Sequence, residues 1–170
     1  MSSVRPSKKT AAPAAPTTAP AEPFTESVDT GFLRTLVGYN ARRASLAVIE
    51  VFMERMAVYR LKVVDFSVLS LVAHNPGITS RQLCATLNVL PPNLVGLIAA
   101  LERRGLIERR PHPSDGRAMG VHLTPAGAEL TAQAEETAAQ LEEDATAGLT
   151  AVERKTLIRL LQKVYLPRES

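Results

Sequence analysis

TSRQLCATLNVLPPNLVGLIAALERRGLIERRPHPSDGRAMGVHL, residues 79–123, carries more structural information than any other part of the chain. Two short helical patterns are followed by a hairpin pattern. The second helix is expected to start at Pro91–Pro92, because proline at the first helical position loses no needed N–H. Leu94, Leu97, Ile98 and Leu101 then recur at i, i+3, i+4 and i+7, which makes one apolar stripe. Gly105, just past Arg103–Arg104, is placed to stop that helix. Ile107–Arg110 and Gly120–Leu123 are short enough for strands. Between them Pro111–Gly116 is dense in turn formers.

Helix, turn, helix and basic hairpin is the layout of a winged helix-turn-helix DNA reader. A small α+β domain with a solvated hairpin shares that geometry, so charge has to separate the two. The cations of this stretch are Arg81, Arg103, Arg104, Arg109, Arg110 and Arg117, against Glu102, Glu108 and Asp115. All are arginines, whose planar fork of donors suits phosphate better than a lysine point charge does. The balance favours the DNA reader.

The run LIAALERRGLIERRPHPSDGRAMGVHLTPAG resembles the multiple-antibiotic-resistance repressor (MarR) family of bacterial transcription regulators. The matching elements are Leu101-Glu102, Gly105-Leu106-Ile107, Arg109, Asp115 and Arg117 in the wing, and Leu123-Thr124-Pro125-Ala126-Gly127. The resemblance extends over roughly residues 31–166, and the wing with LTPAG is its most specific part. It implies a mainly α fold with a small β-hairpin wing, flanked by N- and C-terminal dimerisation helices. It also implies a homodimer on double-stranded DNA, with a small aromatic or apolar effector. Three departures from the family pattern stand out. Val95-Gly96 replaces a common Thr-Arg, Ala99-Ala100 a common Asp-Arg, and Asp115-Gly116-Arg117 a common Asp-Arg-Arg.

Composition sets outer bounds. The 170 residues allow one domain of ordinary size and a tail. Hydrophobic content of 45% with only 4% aromatics and no Trp suits helices packed on helices. Net charge is a modest +3, so the case for nucleic acid rests on where the charge sits. The single cysteine, Cys84, excludes an internal disulfide framework and fits a reducing cytoplasm. No apolar run approaches a membrane span, and no apolar core follows Arg5, Lys8 and Lys9 as a secretory signal requires. A cytoplasmic, nucleoid-associated protein without membrane contact is expected.

In chain order, residues 1–29 carry five prolines among alanines and threonines and are expected to form a disordered arm. Residues 30–60 are expected to hold one long helix from Phe32 to about Tyr59, broadly apolar and serving dimerisation. The DNA-binding unit is assigned to 61–123, opening with a helix over Leu61–His74 that Asn75-Pro76-Gly77 ends. Thr79 with Gln82 has the spacing of a capping box for the next short helix. Residues 124–170 are expected to supply C-terminal dimerisation helices. Thr124-Pro125 opens an acidic one over Ala126–Ala147, Gly148 breaks it, and Thr150 with Glu153 caps a last, basic one. Charge pairing between these two helices follows from their opposite signs.

Setting the stripe of the second helix against the core turns Pro92, Gly96, Ala99 and Arg103 outwards, with Asn93, Val95 and Ala100 at the flanks. Direct base reading is then expected from Asn93 and Arg103, beside Val95 and Gly96. Phosphate contacts are expected from Arg103, Arg104, Arg109 and Arg110, and Arg117, held by Asp115, is expected in the minor groove. A ligand pocket is expected beside Phe52, Met56, Tyr59 and Phe66, with Tyr39 and Arg43 on the less apolar side of the same helix. Plain core is the competing reading of those residues.

His74, His112 and His122 with Cys84 have no close pair at metal spacing, so no metal site is expected. There is no Gly-rich phosphate loop, nucleophile elbow or His-Glu-x-x-His motif, so neither cofactor nor catalysis is expected. The leading expectation is a dimeric, ligand-responsive transcription regulator, a repressor. A sequence-tolerant architectural DNA binder without an effector and a protein-interaction module remain open beside it.

Overall fold

The computed structural model describes residues 28–112 and 115–166, with side chains throughout except at 112 and 115–118. The arm expected over 1–29 therefore lies outside the described residues, apart from 28–29. Helices α1 (Gly31–Arg34), α2 (Val37–Arg55) and α3 (Val63–His74) come first. Strand β1 (Ile78–Thr79), helices α4 (Ser80–Leu87) and α5 (Pro91–Arg103), and strands β2 (Ile107–His112) and β3 (Asp115–Leu123) follow. Helices α6 (Pro125–Ala145) and α7 (Ala151–Tyr165) close the chain.

Local chemistry explains most boundaries. Thr79 accepts from the Gln82 N–H while the Gln82 side chain accepts from the Thr79 N–H, which satisfies two unpaired donors at the start of α4. Thr150 and Glu153 do the same for α7. At the end of α5 the Gly105 N–H donates to Glu102 O at 2.8 Å and the Leu106 N–H to Leu101 O at 3.1 Å. This double closure needs a left-handed residue, and Gly105 has φ +69°. Helices α4 and α5 meet at 115°, the angle of a helix-turn-helix.

The long helix expected from Phe32 to Tyr59 is not continuous. It breaks at Leu36, which is extended, and ends in a 3-10 turn over Met56–Tyr59. Asn40 makes the break tenable by donating its side-chain amide to the carbonyls of Arg34 and Leu36, each at 2.8 Å. At the other end Arg60 turns left-handed (φ 53°), so α3 begins at Val63 rather than Leu61. Asp65 accepts from the Lys62 N–H at 3.1 Å and caps it. Leu61, released from the helix, sinks into the core. Helix α6 likewise stops at Ala145, before Gly148.

The expected hairpin is part of a three-stranded antiparallel sheet in the order β1-β3-β2. Ile78 pairs with Val121, and Arg109 pairs with Val121 from the other side. Both hairpin strands run further towards the tip than their apolar residues indicate, with Pro111 opposite Met119. Pro111 is tolerated because β2 is an edge strand, where a missing N–H breaks no second ladder.

One core joins all of this. Leu69 and Val72 of α3, Leu83 of α4, and Leu94, Ile98 and Leu101 of α5 meet Val121 under the sheet. The same cluster continues through Phe52 and Met56 to Ala134 and Leu141 of α6. The N-terminus of α6 is docked tightly on the turn after α5. Thr124 donates its hydroxyl to Gly105 O at 2.6 Å and its N–H to Leu106 O at 3.0 Å. Gly127 passes so close that a Cβ there would lie 1.8 Å from Leu106 O. That contact explains the glycine of the LTPAG run.

Candidate nucleic-acid interface

Helix α5 buries Leu94, Ile98 and Leu101 and half-buries Leu97, so the expected stripe faces the core. Its opposite side is open. Pro91, Pro92 and Arg103 are exposed, and Val95 is 66% exposed. Leu90, which precedes the helix, is 70% exposed. Apart from Arg103, the outward strip carries no side-chain hydrogen-bonding group. Arg103 and, on α4, Arg81 make no hydrogen bond or ion pair among the described residues. Both guanidinium groups are available to phosphate.

Three other arginines of the expected set, Arg104, Arg109 and Arg110, are engaged within the protomer. Arg104 turns back and donates to the carbonyls of Tyr59 at 2.8 Å and Arg60 at 3.0 Å. The Arg104 fork, expected at phosphate, is occupied in the protomer by these two backbone carbonyls. Arg109 meets both oxygens of Glu102, at 2.7 and 2.6 Å. Those hydrogen bonds hold the Glu102 carboxyl below the usual carboxylate range and raise the Arg109 guanidinium in return. Arg110 pairs with Glu108. A paired arginine keeps spare donors, but its charge is largely compensated by the neighbouring carboxylate. The side chains of Asp115 and Arg117, expected at the wing, lie outside the described residues.

Asn93 and Gly96 lie on the flank of α5 that borders α3. With Leu97 and Ala100 they line one wall of an open groove of about 680 Å³. Met53 of α2 and Val63, Val64 and Asp65 of α3 line the opposite side, with Lys62 at its edge. The sequence reading assigns no site role to Lys62, Asp65 or Met53. Their nearest signal was the proximity of opposite charges to the start of an apolar helix.

The residues expected to line a pocket sit elsewhere. Phe52 and Met56 are buried, and the Phe52 and Phe66 rings meet edge to face with centroids 5.6 Å apart. The Tyr59 hydroxyl pairs with Thr137 of α6 at 2.9 Å. These four side chains fill the core on one side of α2, whereas the groove opens beside Met53. Tyr39 and Arg43 lie near the start of α2, away from both.

Three of the carboxylates of the acidic helix α6 find partners inside the protomer. Glu135 accepts from Ser70 at 2.7 Å and meets His74 at 3.0 Å, and Asp144 pairs with Arg55 at 2.6 Å. The pairing expected between the two C-terminal helices is seen once among the described residues, as Arg154–Glu143 at 3.4 Å. No single helix among the described residues is long and apolar enough to cross a membrane.

Comparison with known proteins gives this geometry a context. Residues 61–118 match the MarR family. A transcriptional regulatory protein for the hcr operon of Thauera aromatica is 30% identical over 130 residues, 76% of this chain and 78% of that protein. The transcriptional repressor CouR, solved on a 23-mer DNA duplex, superposes with a TM-score of 0.74 at 36% identity, covering 81% of this chain and 97% of that one. A CouR from Rhodococcus jostii RHA1, solved bound to p-coumaroyl-CoA, likewise gives a TM-score of 0.74, with 26% identity over 81% of this chain and 97% of that one. A mutant MarR from E. coli complexed with operator DNA gives a TM-score of 0.71 at 30% identity, covering 80% and 98%. The sequence match, the shared winged helix and an α5 whose outer face is open to a duplex agree: this chain belongs to the MarR family of transcriptional regulators.

Proposed function

We propose that the protein is a homodimeric repressor in the bacterial cytoplasm that binds double-stranded operator DNA on the nucleoid and is tuned there by a small molecule. It acts as a regulator rather than an enzyme. Each protomer lays α5 in a major groove, with its wing over the adjacent minor groove. The observation that carries the reading is the open outer face of α5, with Arg103 and Arg81 available, in a chain that superposes on a DNA-bound repressor.

The proposal of a dimer is supported by what the protomer leaves uncovered. Helix α7 buries no residue, and Leu157, Leu160 and Leu161 are 39%, 49% and 41% exposed. Leu33 and Leu36, around α1, are similarly open. An apolar surface of this extent is what a second copy covers. In this reading residues 30–60 and 124–170 hold the dimer together and 61–123 read DNA. The dimer then fixes the half-site spacing at about one helical turn, ~34–36 Å.

For the effector, the groove between α2, α3 and α5 is the better location than the filled core around Phe52. It has apolar walls with one cation and one carboxylate at its edge, which fits a small apolar or aromatic molecule. The p-coumaroyl-CoA complex of the Rhodococcus CouR supports an effector with an aromatic part. A ligand seated there bears on both α5 and α3. It would favour a spacing of the two reading helices that no longer matches DNA.

Selection of bound fragments from random and genomic DNA tests the reading. Enrichment of a sequence with two-fold symmetry is expected. Recovery of unenriched DNA would point to an architectural binder, and no salt-dependent recovery at all to a protein-interaction module.

A further inference from the structure

The side of α5 available to bases is almost bare of hydrogen-bonding groups. Asn93, the polar residue nearest the helix start, is exposed and also borders the α3 groove. Pro91, Val95 and Ala99 follow each other at four-residue spacing and so share one helix face, which Pro92 broadens. Val95 is 66% exposed there, and Leu90 extends the strip past the helix start at 70% exposure. Among the described residues nothing covers this branched apolar side chain. It costs solvation in the unbound protein, so a partner that covers it is favoured.

In the major groove one base feature is apolar. Thymine presents its C5-methyl group there, and no other base of unmodified DNA does. Four residues of helix rise about 6 Å, close to two base steps of about 3.4 Å each. We infer that Val95, with Leu90 and Pro91 beside it, reads thymine methyl groups, so that sequence preference rests on apolar contacts while Arg103 and Arg81 supply phosphate binding. This inference rests on the DNA-reading role proposed above and names the base chemistry it uses. It also fits the apolar Pro91, Pro92 and Ala99 beside Val95, since an unpaired hydroxyl or amide there would oppose the approach of a methyl group.

The probe is a duplex carrying the sequence enriched by the selection, resynthesised with deoxyuridine replacing thymidine at one position at a time. Uracil keeps Watson–Crick pairing and lacks only the methyl group. In the wild-type protein, affinity should fall about fourfold, the value of one buried methyl group, at one or more thymines in each half-site. Val95→Ala should weaken binding to the all-thymine duplex by about the same factor and lose the penalty at its own thymine. Val95 is a surface residue, so folding is expected to be unchanged, and circular dichroism checks this. Uracil scanning that leaves wild-type affinity unchanged at every position would overturn the inference, as would Val95→Ala retaining the full uracil penalty. Either result leaves the DNA-reading role intact. Failure of that role shows earlier, as a selection that enriches nothing.

Discussion

Arg104, at the end of α5, donates to the carbonyl of Tyr59 at 2.8 Å, although 45 positions separate them in the chain. The same guanidinium reaches Arg60 O at 3.0 Å. The Tyr59 hydroxyl continues the path to Thr137 of α6 at 2.9 Å. The reading helix is thus tied by one side chain to the turn that ends α2, and through that turn to α6. Any movement of α5 relative to the terminal helices has to strain or release this tie.

Arg104→Ala should therefore destabilise the fold by about 1–2 kcal/mol, the worth of charge-assisted bonds discounted for an exposed site. Arg103→Ala should leave stability nearly unchanged and weaken DNA binding. Urea unfolding of both variants beside the wild type checks the contrast. Equal midpoints for all three proteins would show that the tie contributes nothing.

Two glycines should respond in opposite directions. Gly127→Ala puts a Cβ 1.8 Å from Leu106 O, a backbone atom, and should cost roughly 1–3 kcal/mol or more, as overpacking does. At Gly96 an added Cβ meets nothing within 4 Å, so Gly96→Ala should stabilise α5 by up to about 1 kcal/mol. Thermal melts give both signs. If Gly96→Ala also weakens DNA binding while raising the melting temperature, the helix backbone approaches the duplex at that point.

The Glu102–Arg109 pair makes a pH-dependent contribution. Hydrogen bonds from Arg109 lower the folded pKa of Glu102, so its stabilisation is complete above the unfolded carboxylate value of about 4.3. It is lost as pH falls through the lower folded value. Half the arginine side chain is in solvent, so the wild type should exceed Glu102→Gln by under about 1 kcal/mol at neutral pH. The difference should shrink as acidification protonates the folded carboxyl. Urea midpoints from pH 7 to pH 3 test this, and a gap that widens on acidification would contradict the sign.

Helix boundaries were legible because their chemistry is local. The capping pairs Thr79–Gln82 and Thr150–Glu153, the prolines at Pro91–Pro92 and the stop at Gly105 each depend on residues within a few positions. Strand β1 was not legible, since two residues paired to Val121 and Gly120 by backbone bonds leave no side-chain period. The break at Leu36 was hidden for a similar reason: it depends on Asn40 finding two carbonyls. At the interface the limit was partner identity. Arg103 and Arg104 are adjacent and chemically identical, yet one faces outwards and the other grips a turn from a distant helix.

The dimer assignment predicts that Leu157→Asp with Leu161→Asp yields a folded monomer, because both apolar side chains are exposed in the protomer and the proposed partner would cover them. Sedimentation and circular dichroism together check it. Persistence of a dimer with both charges in place would move the interface away from α7.

The central claim is that α5 reads a particular DNA sequence. The direct measurement is the affinity ratio between the selected duplex and a random duplex of the same length, at one salt concentration near physiological. Specific recognition should give a ratio of at least about 10³, with both affinities falling as salt rises. Equal affinity for the two duplexes would contradict sequence reading and leave only electrostatic association with DNA.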